Sequence, residues 1–258
     1  MTLVAAAVCP HPPLLLPAVG VGVELAARPA ALHAVQRLTA AVPDLVVVVG
    51  SDRVAAEYGS VDSGSLASYG VDLVVPLGTA AEGRQRTLPL ALTVGAWLLA
   101  EAGWTGDRRA FGVPETMTPA DALARGAEIA DLAGRVAVLC MGDGSARRSE
   151  KAPGWLDGRA EAFDARVSAA LGTADLEALA ALEPDLARDL LAAGRPSWQV
   201  LAGAAGAAGA APEADAAGDR RWSAELLVDE APFGVGYFVA SWSAGSAVES
   251  VVEPAPAA

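Results

Sequence analysis

A chain of 258 residues with a formal net charge of -13 and a pI near 4.5 can bury one full α/β core, and it lacks the basic block that nucleic-acid binding requires. No window reaches the ~18 unbroken apolar residues of a membrane span. Its two cysteines, Cys9 and Cys140, stand in or at the end of apolar runs, where they read as small buried hydrophobes and not as a disulfide framework. The first residues are apolar but carry no basic n-region and run into prolines at 10, 12 and 13. A core strand in a cytoplasmic protein is therefore expected, not a signal peptide.

Residues 3–8 form the first predicted strand, closed by Cys9-Pro-His-Pro-Pro13. Prolines on both sides of His11 stiffen an extended loop, a good mount for a ligand-binding side chain. The other histidine, His33, falls on the surface of a helix read over residues 29–41. Residues 43–50 hold four consecutive valines, the pattern of a strand buried on both faces, which ends at Gly50-Ser-Asp-Arg53. The strand, helix, strand order predicts a right-handed βαβ unit that brings His11 and Asp52 to the same sheet edge.

Residues 54–70, rich in Gly, Ser, Asp and Tyr, have no sustained period and read as an irregular excursion that includes Tyr58, of the kind that builds lids and walls. A short strand with a proline, 71–77, is expected near an edge. A helix follows over 88–102 and closes on Gly103. Residues 112–118 read as a turn or short strand, and Thr118-Pro-Ala-Asp121 starts a helix that runs to 132.

The apolar run 136–141 stops abruptly at Gly142-Asp-Gly-Ser145, a place where backbone and short polar side chains can approach a ligand closely. Beyond it lie Arg147, Arg148 and Lys151, the only lysine of the chain. Helices are read over 156–171, 175–192 and 196–208, with a mobile Ala-Gly connection over 203–221. A last strand pair is read over 224–228 and 234–242, and residues 243–258 as a disordered tail.

Four stretches together resemble the LigB-type class III extradiol dioxygenase superfamily, with which Memo-type proteins share a fold group. They are Cys9-Pro-His-Pro-Pro13, the valine strand ending Gly50-Ser51, Gly142-Asp-Gly-Ser-Ala-Arg147, and Glu230-Ala-Pro-Phe-Gly-Val-Gly-Tyr-Phe-Val239. The resemblance spans residues 3–242 and implies one LigB-like α/β domain, with a central mostly parallel or mixed sheet and helices on both faces. It also implies an Fe(II) held by two histidines and a carboxylate, with a further histidine for acid–base work.

His11 matches the first ligand and Glu230 the carboxylate. Where the second histidine is expected the chain has Ser51-Asp52-Arg53, and where the acid–base histidine is expected it has Ala146. Two of four functional positions are changed. His11, Asp52 and Glu230 remain as a candidate set for Fe(II), or for Mn or Zn given the extra carboxylate. Lys151 or Tyr58 would have to move the proton, beside Asp143 and Ser145 as catalytic candidates, and ordinary catechol cleavage is not expected.

The alternative is a metal-free or structural protein on the same fold. In it Gly142-Asp-Gly-Ser145 cradles a small anion that Arg147, Arg148 and Lys151 neutralise. A serine hydrolase built on Ser145 and His11 lacks the nucleophile-elbow pattern. An acidic or aromatic small molecule is the expected ligand, no nucleic acid or membrane is expected as partner, and a homo-oligomer is left open.

Overall fold

The computed structural model describes residues 2–78, 86–209 and 222–245. In chain order the strands are β1 (Thr2–Cys9), β2 (Leu45–Asp52), β3 (Ala56–Tyr58), β4 (Ser63–Ser65), β5 (Val74–Pro76), β6 (Asp107–Pro114), β7 (Arg135–Met141), β8 (Trp222–Glu230) and β9 (Tyr237–Ala244). The helices are α1 (Ala27–Ala40), α2 (Leu90–Glu101), α3 (Pro119–Ala130), α4 (Ala160–Thr173), α5 (Leu176–Ala180), α6 (Pro184–Asp189) and α7 (Arg195–Gly209). None of them is long and apolar enough to cross a membrane.

The valine strand β2 lies inside a mixed sheet, between β6 and β7 and parallel to both. β7 pairs in parallel with β1, and β9 and β8 continue the sheet as antiparallel strands, giving the order β3-β6-β2-β7-β1-β9-β8. The strands read over 3–8, 43–50, 136–141 and 234–242 are all in this one sheet.

Side-chain alternation divides two cores. Leu45, Val47 and Val49 of β2 pack toward Phe163 and Trp198, whereas Val46 and Val48 pack toward Leu38 and Leu92. Helices α1 and α2 thus cover one face, and α3, α4 and α7 the other. That division follows from right-handed crossovers. The chain steps in one direction from β1 to β2 to β6, and back in the other from β6 to β7. A bulge in β1 between Leu3 and Ala5 shifts the alternation, so Leu3, Ala6 and Val8 share a face.

The structure corrects the reading at several places. Asp107-Arg-Arg-Ala-Phe-Gly-Val-Pro114 is a full strand, β6, where only a turn or short strand was expected from residue 112. Its polar first three residues conceal it, because only Ala110 to Val113 are buried on both faces. The expected edge strand over 71–77 is not in the main sheet: β5 pairs only with β4, in a separate ribbon. Within the excursion after β2, Ala56–Tyr58 folds back as β3 on β6.

The single helix expected over 175–192 is broken into α5 and α6 at Pro184, which cannot donate an i→i−4 hydrogen bond. α4 starts at Ala160, four residues later than read. α7 runs to Gly209, into the stretch expected to be mobile, and β9 continues to Ala244. The rest of the expected connection, 210–221, and of the expected tail, 246–258, lies outside the described residues. The start of α3 is as read: Pro119 occupies the first turn, and the Thr118 hydroxyl accepts the Asp121 N–H.

Candidate functional site at the carboxyl edge of the sheet

The four parallel strands end at one edge and deliver His11, Asp52, Glu115 and Asp143 to it. The chain leaving β2 reaches α2 on one face, and the chain leaving the neighbouring β6 reaches α3 on the other. Diverging connections of this kind open a crevice at the strand ends. A cavity of about 700 Å3 lies there. Its polar lining is Ser51, Asp52, Arg53, Tyr58, Thr87 and Glu115, and Leu88, Pro89, Leu191 and Ala192 are among its apolar walls.

Asp52 is fixed from two sides. Its Oδ1 accepts the Arg53 N–H at 2.6 Å, and its Oδ2 accepts the Tyr58 hydroxyl at 2.7 Å. Gly112 on β6 makes room for it, since a Cβ there would lie 2.3 Å from Asp52 Oδ2. Among the described residues Asp52 has no ion-pair partner. Tyr58 is buried, with the Arg86 guanidinium 4.5 Å from its ring centroid. Burial, and then the hydrogen bond and charge of Asp52, push the Tyr58 phenol up to about 12. It remains a proton donor at neutral pH.

His11 is 7% exposed. Asp143 Oδ1 accepts its main-chain N–H at 2.7 Å and stands 3.5 Å from its Nδ1, which has no hydrogen-bond partner among the described residues. Burial raises the Asp143 carboxyl above its ordinary range, and His11 opposes the shift. The Tyr237 phenol is raised by burial and by the charges of Asp143 and Glu230.

The expected metal set does not converge. Asp52 is bound by Tyr58 and Arg53, and Glu230 Oε1 accepts the Ala27 N–H at 3.1 Å. Glu230 thereby caps α1, whose own N-cap residue, Ala26, has no capping side chain. Among the described residues no three His, Cys, Asp or Glu side chains gather as a metal-holding group. The donors present do not fit the two-histidine, one-carboxylate centre that the resemblance implies.

The loop after β7 is built as a clasp and not as an anion cradle. Ser145 is fully buried; its hydroxyl donates to the Leu190 carbonyl at 3.0 Å and accepts the Arg147 N–H at 3.1 Å, so it is committed in both directions. Its main-chain N–H goes to Asp164 Oδ1 at 2.8 Å. Arg148 pairs with Asp164 at 3.1 Å and approaches Glu161 at 4.0 Å. Burial raises the Asp164 carboxyl, and the Ser145 N–H and Arg148 oppose the shift.

The glycines of this loop answer to packing. A Cβ at Gly142 would lie 2.5 Å from the Cα of Gly194, and one at Gly144 2.8 Å from Asp164 Oδ1. Arg147 is half-buried, with its Nε unpartnered among the described residues. Lys151 is exposed and makes no ion pair among the described residues, and neither arginine nor Lys151 lines the cavity.

Asp52 and Tyr58 are thus brought together at the cavity, His11 and Asp143 at the neighbouring strand ends, and Arg148 with Ser145 around Asp164. Glu115 and the 187–193 wall went unread because β6 and the break between α5 and α6 went unread; Thr87 lies on the approach to α2. Asp164 had a signal. It is the acidic member of an otherwise apolar stripe, Ala160, Phe163, Val167 and Leu171, and a carboxylate facing a core calls for partners.

The chain is similar to a solved structure, that of an uncharacterized protein from Escherichia coli K12, with a TM-score of 0.51 at 14% sequence identity over 93% of this chain and 99% of that one. This likeness shows the fold alone. No family model and no curated protein matches the chain.

Proposed function

We propose that this is a class III extradiol dioxygenase-like, LigB-like cytoplasmic protein with an altered site, and that it binds a small aromatic molecule in the cavity between the ends of β2 and β6 without the family's iron chemistry. One observation carries the reading. Asp52, at the position where a ligand histidine is expected, is held by Tyr58 and Arg53 on the lining of a cavity of about 700 Å3. That volume and its mix of apolar wall and few polar groups suit a small organic ligand.

A second reading, a metal-dependent oxidoreductase, has one observation in its favour: the unpartnered, buried Nδ1 of His11 beside Asp143. Two donors are fewer than a resident iron uses. The readings separate by loading purified protein with Fe(II), Mn(II) or Zn(II), dialysing, and measuring bound metal together with aromatic binding by ligand-detected NMR. The proposal expects aromatic binding that chelator leaves unchanged. Stoichiometric metal that is lost in His11→Ala, and on which aromatic binding depends, would establish the second reading instead.

A further inference from the structure

We propose that the occupant of this cavity carries a protonated amine on its apolar body, and that Asp52 is the counter-ion for it. The inference rests on the reading that the cavity binds a small molecule, and adds the chemical class. Tyr58 and the Arg53 main chain orient the Asp52 carboxylate, yet both are neutral donors. A half-buried carboxylate with hydrogen bonds but no cation has lost part of its hydration without regaining a charge partner, and a cation delivered by a ligand restores it.

The rest of the lining points the same way. Glu115 adds a second carboxylate, Ser51 and Thr87 are neutral, and Arg53 is the one cation of the described lining, itself exposed. The cations that would draw in an acid are elsewhere or engaged: Arg148 is spent on Asp164, Arg86, stacked on Tyr58, pairs with Asp62, and Arg147 and Lys151 do not reach the cavity. A net charge of -13 also favours the approach of cations over anions. Leu88, Pro89 and Leu191 supply the wall against which an apolar body packs. A position that the resemblance assigns to metal ligation thereby becomes the anchor of an organic cation.

The test titrates three ligands that share a 2-(1-naphthyl)ethyl body into the protein at neutral pH by ligand-detected NMR: 2-(1-naphthyl)ethylamine, 3-(1-naphthyl)propanamide and 3-(1-naphthyl)propanoate. The amine should bind about tenfold or more tighter than the other two. Asp52→Asn should abolish that preference by weakening the amine. The comparison within the wild type needs no variant to fold. Equal affinities for amine and amide, or tightest binding of the acid, would overturn the amine assignment while the cavity stood as a binding site. Binding that is unaffected by Thr87→Trp, which obstructs the cavity, or no binding of any of the three ligands, would overturn the cavity reading and the amine assignment with it.

Discussion

The Tyr58 hydroxyl donates to Asp52 Oδ2 over 2.7 Å, and this bond ties the excursion that follows β2 back to the strand end from which it departs. The partners are six positions apart. β3 folds onto β6 in antiparallel register, with Tyr58 opposite Ala110, and that pairing returns the phenol to the carboxylate.

The bond has a titration signature. The folded-state pKa of Tyr58, about 12, lies above the ~10 of an unfolded tyrosine. The folded state therefore holds this proton more tightly. The associated stability is fully present below pH ~10 and is lost as pH rises through about 12. Asp52→Asn should lower the Tyr58 pKa without restoring the ordinary value, because burial is the larger cause. Phenolate absorbance titrations of the wild type, Asp52→Asn and Tyr58→Phe measure this, and an Asp52→Asn curve identical to wild type would contradict the pairing.

Gly112→Ala should dislodge Asp52. The new Cβ would lie 2.3 Å from Oδ2 and 2.6 Å from the Asp52 Cβ, so the carboxylate must swing away from Tyr58. A loss of about 1–3 kcal/mol is expected from overpacking, together with an earlier Tyr58 titration. Denaturant unfolding and the phenolate curve report the two effects separately. Wild-type behaviour in both would show that Asp52 has another place to go.

Arg195 sets the β6 side of the cavity. It is 1% exposed, and its guanidinium donates to the Met117 carbonyl at 2.7 Å, to Gln199 Oε1 at 2.9 Å and to the Glu115 carbonyl. Arg195→Met leaves these acceptors without their donor, at about 1–3 kcal/mol for each that stays buried and unsatisfied. Thermal unfolding should show the loss, and naphthylethylamine affinity should fall as Glu115 is released. Unaltered affinity in a folded variant would mean that the Glu115 loop is held by other contacts.

Catechol supplied with Fe(II) under anaerobic loading and then exposed to air should not be cleaved at an ordinary dioxygenase rate. Alanine at 146 cannot transfer a proton, a service typically worth ~10² to 10⁴ in rate. Ala146→His alone should not restore it, since Asp52 and Glu230 are engaged with Tyr58 and Ala27. Appearance of the yellow ring-cleavage product in either protein would contradict this expectation.

The fold was legible where burial on both faces writes continuous apolar runs: β1, β2 and β7 read directly from residues 3–8, 43–50 and 136–141. β6 was not, because Asp107, Arg108 and Arg109 occupy its exposed beginning, and without β6 the crevice beside β2 had no second wall. The site was legible residue by residue but not pair by pair. Asp52 and Tyr58 were both singled out, yet as metal ligand and as a proton carrier on a site wall, because a three-residue strand such as Ala56–Tyr58 carries too little pattern to announce that it turns back. Glu230 was matched by motif alone. Its contact with Ala27 spans 203 positions and depends on how β8 pairs with β9, which no local pattern fixes. The Gly142-Asp-Gly-Ser145 loop suggested an anion cradle because glycines permit close approach, and what approaches is the protein itself, at Gly194 and Asp164.

The central claim is that a small molecule occupies the cavity at Asp52 and Tyr58 in the metal-free protein. The most direct measurement is a crystal structure of metal-free protein soaked with 2-(1-naphthyl)ethylamine. The predicted result is density between the ends of β2 and β6, with the ammonium on Asp52 and the naphthyl ring against Leu88 and Leu191. Density only beside His11 and Asp143, or only when Fe(II) is added, would contradict it.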